Sequence, residues 1–239
     1  MRTNILGPVT LLSGCRLVPW RDGGLEASSA ASPPSARIRQ SIRRYTSAPV
    51  PASVLERILV AATSAASAHN RQPWRFVVVE EQRLKDQISD AMADRLRKDR
   101  TADGDAAQAV EADVLRSRSR IREAPVLIFV FATMEDMDQY PDAGRRQAEQ
   151  TMAVQSTAMA TQNLLNSAHE EQLGACVMCA PLFCADLVGS ALGVPERWAA
   201  QALVTVGWPT VRGPIRARLP IDKVVWRLGS AVSTTPLSP

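Results

Sequence analysis

The segment Ser67-Ala68-His69-Asn70-Arg71-Gln72-Pro73-Trp74 constrains the fold more than any other stretch. It leaves a helix of small residues and enters the apolar strand Arg75 to Val79 through a polar turn fixed by proline. A turn of this kind presents backbone groups and side-chain amides to the polar edge of a flat heterocycle. Roughly thirty residues upstream, Arg39-Gln40-Ser41-Ile42-Arg43-Arg44-Tyr45 packs three guanidinium groups and a hydroxyl into one short span. Planar guanidinium donors suit a phosphate.

From Arg37 onward, helical and strand patterns alternate. Ser53 and Glu56 read as a capping box, after which Val54, Ile58, Ala61, Ala62 and Ala65 recur at helical spacing and deliver the turn at Ser67. A strand follows at Phe76 to Val79, then an amphipathic helix marked by Leu84, Ile88, Ala91, Met92 and Leu96. Residues 99 to 105 are polar and expected to be mobile. A helix over Ala106 to Arg122 ends in Arg116, Arg118, Arg120 and Arg122, read as a solvated face with favourable charge near a helix C-terminus, with an anion site as the alternative. Pro125 introduces a buried strand, Val126 to Ala132.

The stretch Arg146 to His169, with few large side chains, reads as a central helix packed on more than one side, in a core or a dimer interface. Further strands are expected at Ala175 to Met178, Ala202 to Val206 and near Val224 to Trp226, with a short helix at Ala185 to Leu192 closed by Gly193 and Pro195. Strands separated by helices argue for a layered α/β or α+β fold.

Charge and cysteine usage narrow the function classes. The net charge is only +4, from 28 basic against 24 acidic residues, with no dense cationic tract to favour a nucleic acid partner. No apolar run reaches the roughly 18 residues that span a bilayer, so no membrane partner is expected. Cys15, Cys176, Cys179 and Cys184 do not form a regular disulfide framework, and reduced thiols in the cytoplasm are the expectation. The Cys-x-x-Cys spacing of Cys176 and Cys179 lacks neighbouring ligands to complete a zinc site, and in a strand the two point to opposite faces. They read as small buried apolar residues.

At the N-terminus, Arg2, the run Ile5 to Leu12 and Leu12-Ser13-Gly14-Cys15 have the pattern of a short lipoprotein signal. Gly7 and Pro8 interrupt it, so residues 1–36 read as a flexible extension or the product of a misplaced start. The Gly, Ser, Ala and Pro-rich residues 21–36 read as its linker, and 231–239 as a flexible tail around a domain spanning 37–230.

Together these segments resemble the nitroreductase family of FMN flavoproteins. The resemblance implies an α+β, three-layer fold with a mixed central sheet flanked by helices, in an intertwined homodimer with the flavin at the subunit interface. Arg39 and Ser41, with Gln40 beside them, would hold the FMN phosphate, and Arg43 would reach the pyrimidine edge. Ser67, Ala68, His69 and Asn70 would come from the partner subunit, with Asn70 and Gln72 offering donors and acceptors. His69 is expected to serve packing or position, and Trp74 the core. At Gly174 to Pro181 the family passes over the flavin and offers a backbone N–H to N5, so Met178, Cys179 and Ala180 should lie nearest. Arg216 and Arg218, spaced to share one side of an extended segment, would close on the phosphate.

The resemblance further implies ping-pong hydride transfer from NADH or NADPH, a transient donor, to a small-molecule acceptor such as a nitroaromatic or quinone, with no side chain as covalent catalyst. A Gly-rich nicotinamide fingerprint is absent. The run Pro181 to Cys184, Gly193-Val194-Pro195, Trp198 and Gly207-Trp208-Pro209 also resembles the nitroreductase-like domain fused to the ligase that adds glutamate to a deazaflavin coenzyme. The alternative function is therefore a flavin- or deazaflavin-binding or reducing protein without nitroreductase turnover.

Overall fold

The computed structural model describes residues 16–19 and 38–229. The chain runs β1 (Arg16–Pro19), α1 (Ala52–Thr63), β2 (Trp74–Val79), α2 (Gln82–Ala102), α3 (Ala107–Arg122) and β3 (Val126–Thr133). It continues through α4 (Ala143–Glu170), β4 (Gly174–Met178), α5 (Ala185–Leu192), β5 (Trp198–Gly207) and β6 (Trp226–Gly229).

Every residue of β3 is buried, so its alternating side chains feed two separate apolar layers. Ile128 and Val130 pack with Val204 and Val206 under Ile58 of α1 and Leu164 and Ala168 of α4. Leu127, Phe129 and Phe131 face the other side, closed by Ile88 of α2, Ile121 of α3 and Val188 of α5. The result is an α+β sandwich of three layers. Phe129 is fully buried, and Phe129→Ala would cost about 3–5 kcal/mol by opening a cavity.

The sheet order is β2-β3-β5-β4, and each ladder between these strands is antiparallel. Its parallel component is the bridge from Ser41 to Ala175, through which the chain before α1 runs along the outer edge of β4. Ile42 N donates to Ala175 O at 3.0 Å, and Thr46 N to Trp208 O at 2.8 Å. Residues 38–46 are thus hung on the β4 edge, while the turn before β2 lies at the opposite edge.

A smaller compact unit, described over residues 16–19 and 216–229, contains the antiparallel pair β1 and β6. Arg16–Pro19 lies inside the segment read as an extension. The signal-like residues 2–15, the linker 21–36 and the tail 231–239 fall outside the described residues.

Local expectations needed correction at four places. The helix after Pro51 starts at Ala52 with Pro51 as N-cap and no side-chain cap, so Ser53 and Glu56 do not form a capping box. Proline's fixed φ sets the entry two residues earlier. The polar stretch 99–105 is not a mobile loop: α2 continues to Ala102, with Arg95 and Asp99 paired one turn apart and Arg100 tied to Asp105 and Asp113. The last strand begins at Trp226, after a 3₁₀ turn at Ile221–Lys223. Cys176 is buried as expected, but Cys179 is exposed because β4 ends at Met178.

Candidate functional site

The β4 edge gathers the first group of candidate residues. The backbone bridge at Ser41 sets Arg43 beside β4, where its Nη1 donates to Ser41 O at 3.3 Å. Cys176 of β4 is buried, which pushes its thiol above the usual range, and the neighbouring charges of Arg43 and Arg120 pull the other way. Arg120 comes from α3. Burial lowers its pKa, and the like charge of Arg43 lowers it further. Among the described residues, neither arginine is in a salt bridge.

Arg120 was missed by reading its run as one solvated face. Arg118 pairs with Asp90, Arg122 with Asp86 at 2.9 Å and Arg116 with Asp113. Arg118 and Arg122 stand one turn apart and face α2, so Arg120, two residues from each, projects to the other side. The signal was present in sequence as Asp86 and Asp90, also one turn apart.

Arg39 is partly buried, and its Nε has no hydrogen-bond partner. It lies near His169 at the end of α4, whose pKa is lowered by burial and then by Arg212 and Arg39. Arg212 Nη1 sits 3.2 Å from His169 Nδ1, and its Nη2 donates to Gln172 O at 2.8 Å. A Cβ on Gly213 would come within 3.9 Å of Gln40 Oε1, so Gln40 joins this corner. Arg212 is a second cation that sequence reasoning did not select.

Met178 ends β4, Cys179 follows it, and Ala180 opens a 3₁₀ turn, Ala180–Phe183. The Cys179 carbonyl accepts from Leu182 N at 3.1 Å. Among the described residues the N–H groups of Cys179 and Ala180 donate to no backbone acceptor. They are free donors at the mouth of the same edge.

The second group stands apart. Ser67 leads into a 3₁₀ turn at Ala68–Asn70. Ala68 N donates to Ser156 Oγ of α4 at 3.2 Å, Gln72 N to Ser67 Oγ at 3.1 Å, and Gln72 Nε2 to Asn70 Oδ1 at 3.2 Å. His69 is exposed and holds φ 50° in this turn. Trp74 is 5% exposed and belongs to the core. With β2 and β4 at opposite edges of four strands, this group lies roughly 14 Å across the sheet from the first. One chain does not bring the two together.

Arg216 and Arg218 belong to the smaller unit, where both are exposed and Arg218 Nη1 donates to Arg216 O at 3.3 Å. Two cavities of about 360 and 350 Å³ flank the start of α4, and neither is lined by Arg39, Ser41, Arg43 or Met178.

Comparisons with known proteins bear on this arrangement. The model of the nitroreductase family matches residues 36–208. A Thermus thermophilus protein named NADH dehydrogenase is 32% identical over 214 residues, covering 79% of this chain and 92% of its own length. A Rhodospirillum rubrum protein named 5,6-dimethylbenzimidazole synthase is 31% identical over 183 residues, covering 74% and 81%. Among solved structures, a Desulfovibrio desulfuricans protein named as a nitroreductase, in complex with FMN, superposes with TM-score 0.61 at 28% identity, covering 80% of this chain and 92% of that one.

Proposed function

The chain belongs to the nitroreductase family, and from that premise we propose that it is an FMN-dependent NAD(P)H oxidoreductase. It passes hydride in ping-pong fashion to a small oxidised acceptor such as a nitroaromatic or a quinone. The observation that carries the reading is the unpaired cationic group on the β4 edge. Arg39 has a buried Nε without a partner, Arg43 and Arg120 share one corner without a carboxylate, and free N–H groups stand at Cys179 and Ala180. A set of cations without carboxylate partners, beside free N–H donors, fits an anionic group.

FMN, when bound, supplies the two-electron hydride relay. Arg39 and Ser41, with Gln40 beside them, bind its phosphate, and Arg216 and Arg218 add charge-assisted bonds. Arg43, with Arg120 next to it, stabilises the negative charge that gathers at the pyrimidine edge on reduction. The chain turning at Met178, Cys179 and Ala180 offers its N–H groups toward N5. Ser67, Ala68, His69, Asn70 and Gln72 complete the site from a second subunit.

That last role requires a homodimer, and the roughly 14 Å that separates the two groups within one chain supports it. The helix α4 keeps Val154 and Met159 46% and 43% exposed, and these apolar side chains would be covered in a two-fold pair. Light scattering at micromolar concentration should give a dimer. A monomer that still holds FMN would remove the intersubunit role of Ser67 to Asn70. The free thiols at Cys176, Cys179 and Cys184 fit a reducing cytoplasm, and no described helix is long and apolar enough to cross a membrane.

The experiment is the visible spectrum and released-cofactor mass of the purified protein, followed by stopped-flow mixing with NADH and with NADPH. A yellow protein that releases FMN and bleaches with either donor supports the reading. A protein that is colourless and takes up no FMN sinks it. Bound FMN that neither donor bleaches favours the flavin- or deazaflavin-binding alternative.

A further inference from the structure

Three residues of the 67–72 turn hold positive φ without being glycine: His69 at 50°, Asn70 at 55° and Gln72 at 48°. Arg71 between them is right-handed, with φ −75° and ψ −19°. A left-handed residue with a side chain costs about 1–3 kcal/mol and persists where its surroundings impose it, asparagine being the best tolerated. Asn70 has both that tolerance and a bond from its N–H to Ser67 O at 3.1 Å. Gln72 lacks the tolerance.

Gln72 is braced at both peptide planes that flank its Cα. Its N–H donates to Ser67 Oγ, and its carbonyl accepts from Arg75 Nη1 at 3.2 Å. The same Nη1 donates to Trp74 O at 2.9 Å, so the guanidinium reaches around Pro73, which has no N–H of its own to offer. Arg75 Nη2 is seated in turn by Asp136 Oδ2 at 3.1 Å, from the loop between β3 and α4. Arg71 pairs with Asp138 of that loop, so both arginines flanking Gln72 are tied to one segment. Because Gln72 Nε2 bonds to Asn70 Oδ1, a rotation of the Gln72 backbone would move both amides.

We propose that Arg75, seated by Asp136, is a positioning residue that holds Gln72 in its left-handed conformation and so aims the Gln72 and Asn70 amides at the flavin edge. The role rests on the flavin site proposed above. An exposed ion pair such as Arg75 with Asp136 adds at most about 1 kcal/mol to stability, so its loss leaves the fold intact and the effect readable in binding.

The test is a double-mutant cycle in FMN affinity on the full chain, comparing wild type, Arg75→Gln, Gln72→Ala and the double variant. Arg75→Gln should weaken FMN by about tenfold, the scale of one lost charged hydrogen bond. In the Gln72→Ala background the same change should cost less than about twofold, because the group being positioned is gone. Asp136→Asn, an exposed change that folds, should weaken FMN in the same direction by a smaller factor. Hydrogen exchange at the Gln72 amide should quicken in both Arg75→Gln and Asp136→Asn. Equal losses in the two backgrounds, or unchanged affinity and exchange in Arg75→Gln, would overturn the role while leaving the FMN reading in place. A wild-type chain that binds no FMN would overturn both.

Discussion

Gly174 and Ile42 fit together only because position 174 carries no side chain: a Cβ there would lie 2.6 Å from Ile42 Cγ2 and 2.7 Å from Ile42 Cβ. Ile42 is 6% exposed and bonds to Ala175, so this contact seats the whole Arg39 to Arg43 segment on β4. Gly174→Ala should therefore push the segment off its edge and destabilise the chain by about 1–3 kcal/mol, the usual cost of overpacking. FMN affinity should fall as well, measured by titration at a temperature where the variant is fully folded. A variant with wild-type melting temperature and affinity would mean that the segment is not held at this contact.

The same segment is pinned further on by Tyr45. Its hydroxyl lies 2.6 Å from Ile42 O, 3.0 Å from Thr205 O and 2.8 Å from Thr205 Oγ1. Burial raises its pKa far above the ordinary phenol value, against a smaller opposing effect of the Thr205 hydrogen bond. A phenol whose pKa is raised by folding contributes stability that is intact below its unfolded pKa of about 10 and is lost as pH rises beyond it, since only the unfolded chain gains by ionising. The slope from one such group is at most about 1.4 kcal/mol per pH unit. Denaturant midpoints measured from pH 9 to 11 should fall less steeply in Tyr45→Phe than in wild type. The two slopes would coincide if Tyr45 ionised freely in the folded protein.

The phosphate roles proposed for Arg39, Ser41, Arg216 and Arg218 predict a strong preference for FMN over riboflavin. Each lost charge-assisted bond is worth about 1.5–3 kcal/mol, so losing two should weaken binding by at least a hundredfold. Isothermal titration of the apoprotein with each compound measures this directly. Equal affinities would remove the phosphate assignment while leaving the ring contacts untouched.

How much of this was legible in the sequence depended on whether the signal was periodic or geometric. Strand β3 and helix α5 were readable because a continuous apolar run after Pro125, and Gly193 in a left-handed C-cap at φ 63°, are local properties of the chain. The pairing of the Arg39 segment with β4 was not, since a bridge between Ser41 and Ala175 joins residues far apart in sequence. Arg120 hid in a run of alternating arginines because the acids that neutralise Arg118 and Arg122 sit on a different helix. The positive φ values of His69 and Gln72 were equally invisible, because no glycine marks them and tertiary contacts impose them. Motif reading found the residue types at Asn70 and Gln72 but could not show that Arg75 braces the backbone between them and β2.

Arg43 and Arg120 stand together without a carboxylate, and this separates chemistry from binding. At the pyrimidine edge, a fixed positive charge favours the reduced, anionic flavin over the oxidised, neutral one, whereas a charge on the phosphate favours both about equally. Arg43→Ala and Arg120→Gln should each lower the flavin reduction potential and slow reduction by nicotinamide when the protein is saturated with FMN. Arg218→Ala should lose affinity and recover its rate in excess FMN. For this two-electron couple a shift of about 30 mV corresponds to roughly 1.4 kcal/mol, well within the reach of spectroelectrochemistry. The double variant Arg43→Ala with Arg120→Gln should shift the potential by more than the sum of the singles, because in each single variant the remaining guanidinium, relieved of the repulsion, makes up part of the loss. If all saturated variants keep the wild-type potential, neither arginine faces the pyrimidine edge, and the cationic corner beside Cys176 serves something other than the flavin ring.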